Sequence, residues 1–261
     1  MTQVDWIHFR RSVRRYKKKN LDKALLKDLQ EQINRVENIF DNASYKIQLI
    51  QDGGQVKQVL KGLASKYTYV KAPHYLLLTC ENTPDCLFNL GYVGEQLIKF
   101  LTLNNFGTCW VGAKMSGDKL AKFVKMEEEH TFTILIAFGE PMKQLSFIRD
   151  RKRKNIKEIF YGYDNLNDTD QFVAESILTA PSAVNNQPWR FYLSNGAWDY
   201  YKAMPKGILA GAYSDKIDID VGIGFYHLVE AARSLGSNLE FEQLEFHKDD
   251  QNYLGTIRIS D

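Results

Sequence analysis

Two segments of the chain combine residue types that can bind an anion and a planar polar group. The first is Arg10-Arg11-Ser12-Val13-Arg14, whose guanidinium groups and hydroxyl suit charge-assisted hydrogen bonds to a phosphate. The second runs from Ala180 to Trp189 (APSAVNNQPW), where two prolines bracket hydroxyl and amide side chains. The prolines exclude a regular helix there. This stretch therefore predicts a loop whose polar groups can hydrogen-bond to the edge of a heterocycle.

Basic residues are concentrated in two places, although the formal net charge of the chain is only +2. Residues 10–19 carry seven Lys and Arg with no acid, and residues 149–157 carry six with one acid, Asp150. Solvated loops would explain either run alone. A shared site for a compact anion such as phosphate would explain both, and the acidic remainder of the chain argues against a general nucleic-acid surface.

Several other kinds of site are not supported by the sequence. Gly222-Ile223-Gly224 begins like a dinucleotide-binding fingerprint, but His227 stands where that motif needs a small residue. The segment GAKMSGDK at 112–119 has the two glycines of a phosphate loop, but Asp118 stands where that loop needs lysine. The five histidines are scattered, so no metal site is predicted. No serine has Gly-x-Ser-x-Gly flanks, so no serine hydrolase is predicted.

Compartment and redox state follow from composition. The three cysteines, Cys80, Cys86 and Cys109, fit neither a zinc site nor a redox pair and are interpreted as reduced thiols. No apolar run approaches the roughly 18 residues that a membrane span needs, and the N-terminus lacks a secretory pattern. We therefore expect a cytoplasmic protein with no membrane partner.

Apolar periodicity and turn residues predict elements in two sets. The first set is a short helix from about residue 5, a helix from about residue 22 through residue 40, strands at 45–50 and 73–78, a helix through residues 87–101 and a strand at 132–141. The second set is a helix at 170–180, a loop at 181–188, a strand at 189–193, a helix from residue 224 to 236 and paired strands at 239–246 and 253–259. The segments LNNFG at 103–107 and ARSLG at 232–236 each end a predicted apolar helix with a glycine and are followed by a predicted strand. This similarity indicates a weak internal duplication.

The Ala180–Trp189 loop resembles the Pro-Ser-(Ser/Ala)-x-Asn-x-Gln-Pro-Trp loop of the nitroreductase family of flavoproteins, and RRSVR resembles that family's Arg-x-Ser-x-Arg segment. FGTCWVG at 106–112 is similar to the family's Gly-rich turn before a tryptophan. FGEP at 138–141 and RKR followed by IKEIF from residue 151 are similar to later family motifs. The resemblance covers most of the chain.

The order of the motifs departs from that of ordinary family members, in which the Pro-Ser loop follows soon after the arginine motif. Here the loop appears only after Arg153. The simplest explanation is a fused pair of partly degenerate copies, as in the tandem branch of the family. We therefore expect an α+β fold of two related halves, each a β-sheet flanked by helices, forming an intramolecular pseudo-dimer. Residues 1–150 would carry the phosphate-binding motif and residues 151–261 the Pro-Ser loop, so that one chain acts as a monomer with one flavin.

The resemblance implies FMN as cofactor and NAD(P)H as co-substrate. Trp110 and Trp189 are expected to pack in the core rather than touch the flavin. The residues implied to contact FMN are Arg10, Arg11, Ser12, Arg14, Gly107, Thr108, Cys109, Arg151, Arg153, Pro181, Ser182, Ala183, Asn185 and Gln187.

The implied activity is hydride transfer from NAD(P)H through the flavin to a nitroaromatic, a quinone or a similar small acceptor. Since the cofactor carries the reaction, no catalytic protein acid or base is demanded. Three alternatives stay open. They are another flavin reaction such as dehydrogenation or dehalogenation, a flavin-binding or sensing protein without turnover, and a nucleic-acid-binding protein.

Overall fold

The computed structural model describes residues 6–60, 69–113, 115–122, 124–204, 216–244 and 250–260. The chain divides into two compact units, Met1–Phe147 and Ile148–Asp261. Part of the helix predicted from about residue 5 and part of the strand predicted at 239–246 lie outside the described residues. Each unit is built around its own antiparallel or largely antiparallel sheet.

The first unit contains a four-stranded antiparallel sheet of order β1-β2-β4-β3. Every residue of β2 is buried, because a strand between two neighbours and under a helix contributes both faces to the core. The unit's elements are α1 (Trp6–Phe9), α2 (Lys23–Ile33), β1 (Tyr45–Ile50), α3 (Gly54–Val59), β2 (His74–Cys80), α4 (Pro84–Leu103), β3 (Gly107–Val111), α5 (Gly117–Leu120) and β4 (Phe132–Gly139).

Capping residues define where the helices of the first unit begin. The side chain of Asp22 accepts a hydrogen bond from Leu25 N at 2.7 Å, which satisfies an amide at the start of α2. Thr83 caps α4, and Pro84 occupies its first turn, where the missing N–H is not needed. Most of α4 is buried, so this helix covers the sheet along its length.

The second unit contains a five-stranded sheet of order β5-β6-β7-β9-β8, parallel only between β5 and β6. Asn195 and Gly196 have positive φ (50° and 74°), as a tight turn between β6 and β7 requires. The unit's elements are α6 (Ile156–Ile159), β5 (Phe160–Tyr161), α7 (Asp168–Ser176), β6 (Trp189–Ser194), β7 (Ala197–Lys202), α8 (Ile217–Leu235), β8 (Asn238–Glu242) and β9 (Tyr253–Ser260). Short 3₁₀ turns at Tyr163–Asn165, Ile177–Thr179 and Ala183–Asn185 connect them.

The two units repeat one topology. The order β6-β7-β9-β8 in the second unit matches the order β1-β2-β4-β3 in the first. A long helix also stands at the same place along the chain, since α4 connects β2 to β3 and α8 connects β7 to β8. The helix ends also match. Residues 105 and 236 have φ values of 62° and 79°, and the next amides donate to the carbonyls of Leu101 and Ala232. The duplication indicated by LNNFG and ARSLG is therefore visible in the backbone, and the expected α+β fold of two related halves is confirmed.

Three helix boundaries differ from the sequence-based prediction. Helix α7 ends at Ser176 rather than at residue 180, because Ile177–Thr179 forms a 3₁₀ turn. Helix α2 ends at Ile33 rather than continuing through Val36 and Phe40. Helix α8 begins at Ile217, seven residues before Gly224, because the acids of the IDIDV segment find partners within the fold. A helix after Gly53 was not predicted, since Asp52-Gly53-Gly54 indicated only a turn.

Replacing Gly94 in α4 with alanine should destabilise the protein. A Cβ at this position would lie 2.3 Å from Cη2 of Trp110, and the indole cannot simply move because its Nε1 donates to Glu95. We expect a loss of about 1–3 kcal/mol, the usual cost of overpacking a core. Urea unfolding followed by tryptophan fluorescence measures it. Gly117→Ala is the matched control, because no atom lies within 4 Å of its Cβ position. Equal unfolding midpoints for the two variants would contradict this packing argument.

Candidate functional site

In the first unit, the arginine segment lies against strand β3. Ser12 forms a parallel bridge with Thr108, and Val13 N donates to Thr108 O at 2.8 Å. The contact requires glycine at position 107, since a Cβ there would lie 2.7 Å from the side chain of Val13. Two of the segments that sequence analysis assigned to one site are therefore neighbours in this unit.

Arg10 is directed into the core rather than toward solvent. Its Nε lies 4.0 Å from Glu95 Oε1, and the two side chains are 4% and 0% exposed. Burial lowers the pKa of Arg10, and the negative charge of Glu95 opposes that effect. The other carboxylate oxygen of Glu95 accepts a hydrogen bond from Trp110 Nε1 at 3.0 Å. One buried carboxylate on α4 thus holds both the arginine segment and strand β3.

The other members of the segment are more accessible. Arg11 donates to the backbone oxygen of Ser146 at 2.5 Å and to its hydroxyl at 2.9 Å. Ser12 and Arg14 are exposed, and Arg14 Nη1 lies 3.5 Å from Ser12 O. A hydroxyl and a guanidinium group therefore project together from a backbone that β3 fixes in place.

Cys109 lies beside these groups. Burial raises the pKa of its thiol, while Arg14, Arg10 and a hydrogen bond from Ser12 act in the opposite direction. The thiol therefore remains protonated at neutral pH and is not an activated nucleophile. The influence of Arg14 and Ser12 on this thiol shows that both lie close to Cys109, the third residue of β3.

In the second unit, the Pro181–Pro188 loop has a strained backbone. Val184, Asn185 and Gln187 all have positive φ, at 47°, 60° and 51°. A β-branched residue rarely adopts this conformation, so surrounding contacts must hold it. Strain of this kind is concentrated at ligand-binding loops, which makes the loop a candidate site on structural grounds.

Arg153 and Lys154 brace the loop from one side. Arg153 donates to Asn185 Oδ1 at 2.9 Å and to Ala180 O at 3.1 Å. The backbone amide of Lys154 donates to Gln187 Oε1 at 3.0 Å, and its ammonium group donates to Asn186 O at 2.8 Å. Gln187 N in turn donates to Ser182 Oγ. Three of the polar side chains predicted for this loop thus take part in fixing its shape.

Asp220 of α8 braces the loop from another side. Ala183 N donates to both of its carboxylate oxygens, at 3.0 and 2.9 Å. Asp220 is 5% exposed. Burial raises the pKa of this carboxyl to about 8, although the Ala183 hydrogen bond and Lys216 lower it. The loop therefore rests on a buried carboxyl group that titrates near neutral pH.

The predicted site residues fall into two groups, one in each unit. Arg10, Arg11, Ser12, Arg14, Gly107, Thr108 and Cys109 lie together in the first unit. In the second unit, Arg153 contacts the loop that contains Pro181, Ser182, Ala183, Asn185 and Gln187. Arg151 is half-buried two residues before Arg153.

Three residues with a positioning role were missed by sequence analysis. Glu95 and Asp220 are acids on otherwise apolar helix faces, a pattern that could have indicated buried partners. Lys154 was counted only as part of a basic run, and no local signal distinguishes it from its neighbours.

Two further features are absent from the described residues. None of the helices in that part of the chain is long and apolar enough to cross a membrane. The described residues also contain no cluster of three or more histidine, cysteine or acidic side chains that could hold a metal ion.

The fold and the two groups of polar residues define an α+β protein with a duplicated antiparallel sheet. A family profile described as "Putative TM nitroreductase" matches residues 3–232. The chain belongs to this nitroreductase family. None of the curated proteins compared with the sequence matches it.

Solved structures support the same fold. A nitroreductase from Thermotoga maritima, described as putative, is 22% identical with a TM-score of 0.64, over 98% of this chain and 92% of that one. A nitroreductase with bound FMN from Desulfitobacterium hafniense is 13% identical with a TM-score of 0.51, over 58% of this chain and 95% of that one. The first similarity spans both units, whereas the second extends over little more than half of the chain.

Removing the Arg10 side chain should cost more stability than removing a neighbouring arginine. Arg10→Ala leaves Glu95 as a buried charge with its cationic partner gone, which typically destabilises a protein by about 3–5 kcal/mol. Arg15→Ala is the control, because Arg15 is exposed. Urea unfolding compares the two. Adding Glu95→Gln to Arg10→Ala should restore part of the loss, and no restoration would argue against a buried-charge origin.

Asp220 should make stability depend on pH. Its pKa in the folded protein is raised to about 8, so the native state holds the proton more tightly than the unfolded chain does. The resulting stability is fully present below pH ~4, the ordinary range for an aspartate, and is lost as the pH rises through about 8. Unfolding by urea across this pH window should show the decline in the native protein and a flatter profile in Asp220→Asn.

The matched control for this experiment is Asp168→Asn, because Asp168 is an exposed carboxylate of the same unit. It should leave the pH profile unchanged. An Asp220→Asn profile as steep as that of the native protein would show that another group controls the decline.

Proposed function

We propose that this protein is an FMN-dependent oxidoreductase that transfers hydride from NAD(P)H through the flavin to a nitroaromatic, a quinone or a similar small acceptor. The observation that carries the proposal is the segment Ser12–Arg14 fixed on Thr108, which leaves a hydroxyl and a guanidinium group exposed together. Membership of the nitroreductase family supports it. The bound FMN of the Desulfitobacterium hafniense structure is the precedent for the cofactor.

The donor set of the first unit fits a phosphate. Ser12 offers a hydroxyl and Arg14 a planar fork of N–H groups, which is the arrangement that suits phosphate oxygens. Arg10 is committed to Glu95 and Arg11 to Ser146, so we assign the main phosphate contact to Arg14 and Ser12. Arg10 and Arg11 would then set the position of the segment. Gly107, Thr108 and Cys109 form the strand on which it rests.

The loop of the second unit fits the polar edge of a flavin ring. Pro181, Ser182, Ala183, Asn185 and Gln187 form a backbone of fixed shape, held by Arg153 and Asp220. A rigid loop avoids the entropy cost of ordering polar groups when the ligand binds. Arg151 and Arg153 add positive charge next to the loop. On the resemblance of both segments to FMN-contacting motifs of the family, we propose that FMN binding depends on residues of both, with one FMN per chain.

FMN, when bound, supplies hydride acceptance and donation, and the protein supplies binding, orientation and electrostatics. No described side chain of the proposed site is an activated nucleophile, and burial keeps the Cys109 thiol protonated. This is consistent with a reaction in which protein residues hold the cofactor and the substrate enters beside it. We propose that a single chain is sufficient for the activity.

An alternative is a flavin-binding or sensing protein without turnover, or another flavin reaction such as dehydrogenation or dehalogenation. These alternatives share the FMN-binding residues and differ in whether reduced nicotinamide reduces the flavin. The purified protein should release one equivalent of FMN per chain on denaturation. Anaerobic addition of NADH or NADPH should bleach the visible flavin absorbance, and a nitroaromatic or quinone should restore it.

The outcomes separate the alternatives. Protein that neither contains nor takes up FMN would overturn the proposal, and two FMN per chain would contradict the dependence of one site on both units. Bound FMN that NAD(P)H fails to reduce would favour a sensor or a different flavin reaction.

Two matched pairs of variants test the residue assignments. Arg14→Ala should raise the dissociation constant for FMN by about tenfold or more, because it removes a charge-assisted hydrogen bond to the phosphate worth about 1.5 kcal/mol or more. Asn185→Ala should raise it by a similar factor of about ten, because it removes the side chain through which Arg153 and Lys152 O hold the loop in its binding shape. Arg15→Ala and Asn186→Ala, one residue further along, should leave it unchanged. Fluorescence quenching of FMN titrated with apoprotein measures all four. Equal affinities within either pair would refute that assignment.

A further inference from the structure

The lysine run that follows the arginine segment is not used by the proposed flavin site. Lys17, Lys18 and Lys19 line a cavity of about 910 Å³ in the first unit. Lys23 from the start of α2 and Lys71 from the segment before β2 line the same cavity. We propose that this cavity binds a small ligand that carries two or more phosphate groups, separately from FMN.

The walls of the cavity are fixed by contacts within the unit. Lys17 N donates to Glu140 O at 2.9 Å, which pins one end of the lysine run beside the end of β4. The buried ring of His74 lies between Lys19 O, 3.1 Å from Nε2, and Gln51 O, 2.7 Å from Nδ1. The lysine run is therefore held at both ends by backbone contacts rather than being a loose surface tail.

The turn at Gly53 closes another wall. Gly53 N donates to Pro73 O at 2.8 Å, and a Cβ on Gly53 would lie 2.1 Å from Ala72 O. This backbone approach is possible only for glycine. It brings the turn after β1 against the segment that carries Lys71, so that lysines from three separate parts of the sequence face one space.

The charge balance of the cavity is strongly positive. Among the described residues, five lysines line it and Asp52 is the one acid. Glu140 pairs with Lys17 and Lys19 at 2.5 and 3.2 Å and offsets part of the charge. Lys18, Lys23 and Lys71 make no ion pair with any described residue. Like charges that converge without partners repel one another, and a polyanion would relieve that repulsion.

The size of the cavity and its surroundings favour a small ligand over a nucleic acid. Its volume lies in the range of pockets that hold ligands the size of a nucleotide. Apolar side chains of Leu21, Leu26 and Pro73 share the lining and could pack against an organic group. The adjacent cavity, of about 470 Å³, is lined by Lys17 and Lys19 together with the acids Asp22 and Glu140, so the excess of positive charge does not continue there. A nucleic-acid backbone would need it to continue.

Isothermal titration calorimetry of the full-length, FMN-loaded protein with inorganic tripolyphosphate tests the proposal. We expect saturable binding of one tripolyphosphate per chain, weaker binding of orthophosphate and a decrease in affinity with added salt, because the lysines are exposed. Lys23→Gln combined with Lys71→Gln should weaken the binding about tenfold or more, since two of the unpaired charges are lost. FMN content should not change in this variant.

Lys27→Gln is the matched control. Lys27 lies one turn after Lys23 on the same helix, does not line the cavity and lies 3.8 Å from Glu31. It should bind tripolyphosphate as the native protein does. Absence of saturable binding, equal affinity in the double variant, or competition by free FMN would each overturn the proposal. So would affinity for single-stranded oligonucleotides that increases steadily with their length, because it would indicate an extended surface.

Because the double variant retains its flavin, failure of this experiment would leave the proposed oxidoreductase function intact. Conversely, a protein that binds tripolyphosphate but no FMN would retain this inference and lose the other. The two proposals therefore rest on different residues and different measurements.

Discussion

The close approach of a tryptophan to a glycine on a long buried helix is the constraint on which both candidate groups depend. In the first unit, Trp110 packs against Gly94 of α4, and the neighbouring Glu95 binds both the indole and Arg10. In the second unit, Trp189 packs against Gly224 of α8, and Asp220, one turn earlier on the same face, holds Ala183 N. Each helix therefore uses one small residue and one buried acid to fix a polar segment on its sheet. The two tryptophans occupy different strands, β3 and β6, so the units reach this arrangement by different routes.

Buried acids on these helices have a consequence for how the polar segments are held. A buried acid needs a partner charge when it is ionised and hydrogen-bond partners when it is protonated, so in either form its partner cannot leave without a cost in free energy. Arg10 is thereby tied to α4, and the neighbouring residues up to Arg14 follow along β3. The strained residues Val184 and Asn185 are likewise kept in a conformation that an isolated loop would abandon. Rigidity of the candidate site thus originates in the core and not in the loops themselves.

The sequence predicted most of the strands and the capped ends of the helices, because those features depend on local residue types. Asp22 and the fully buried strand β2 are examples, as are the positive φ values after α4 and α8. It failed where distant partners decide the structure. The alternating acids of IDIDV suggest no helix until Asp218 is seen to pair with Lys202 and Asp220 with Ala183. The apolar period that continues to Phe40 indicated a longer α2, but hydrogen bonds from Ile39 and Phe40 to Asn89 hold that segment outside the helix. For the candidate site, motif residues could be named from sequence, whereas their supports on α4 and α8 could not.

The two basic runs illustrate why net charge says little about binding. In the second run, Arg153 and Lys154 donate hydrogen bonds to the loop of their own unit. In the first run, Arg10 neutralises a buried acid, Lys17 and Lys19 share Glu140, and Arg14 and Lys18 remain exposed. Side chains that are adjacent in sequence therefore serve stability, loop geometry and ligand binding separately. A run of basic residues is evidence for an anion site only in those members that have no partner within the protein. What then remains of the first run is Arg14 beside Ser12, together with Arg15 and Lys18. Lys18 joins Lys23 and Lys71, from outside the run, around a cavity whose walls are already fixed.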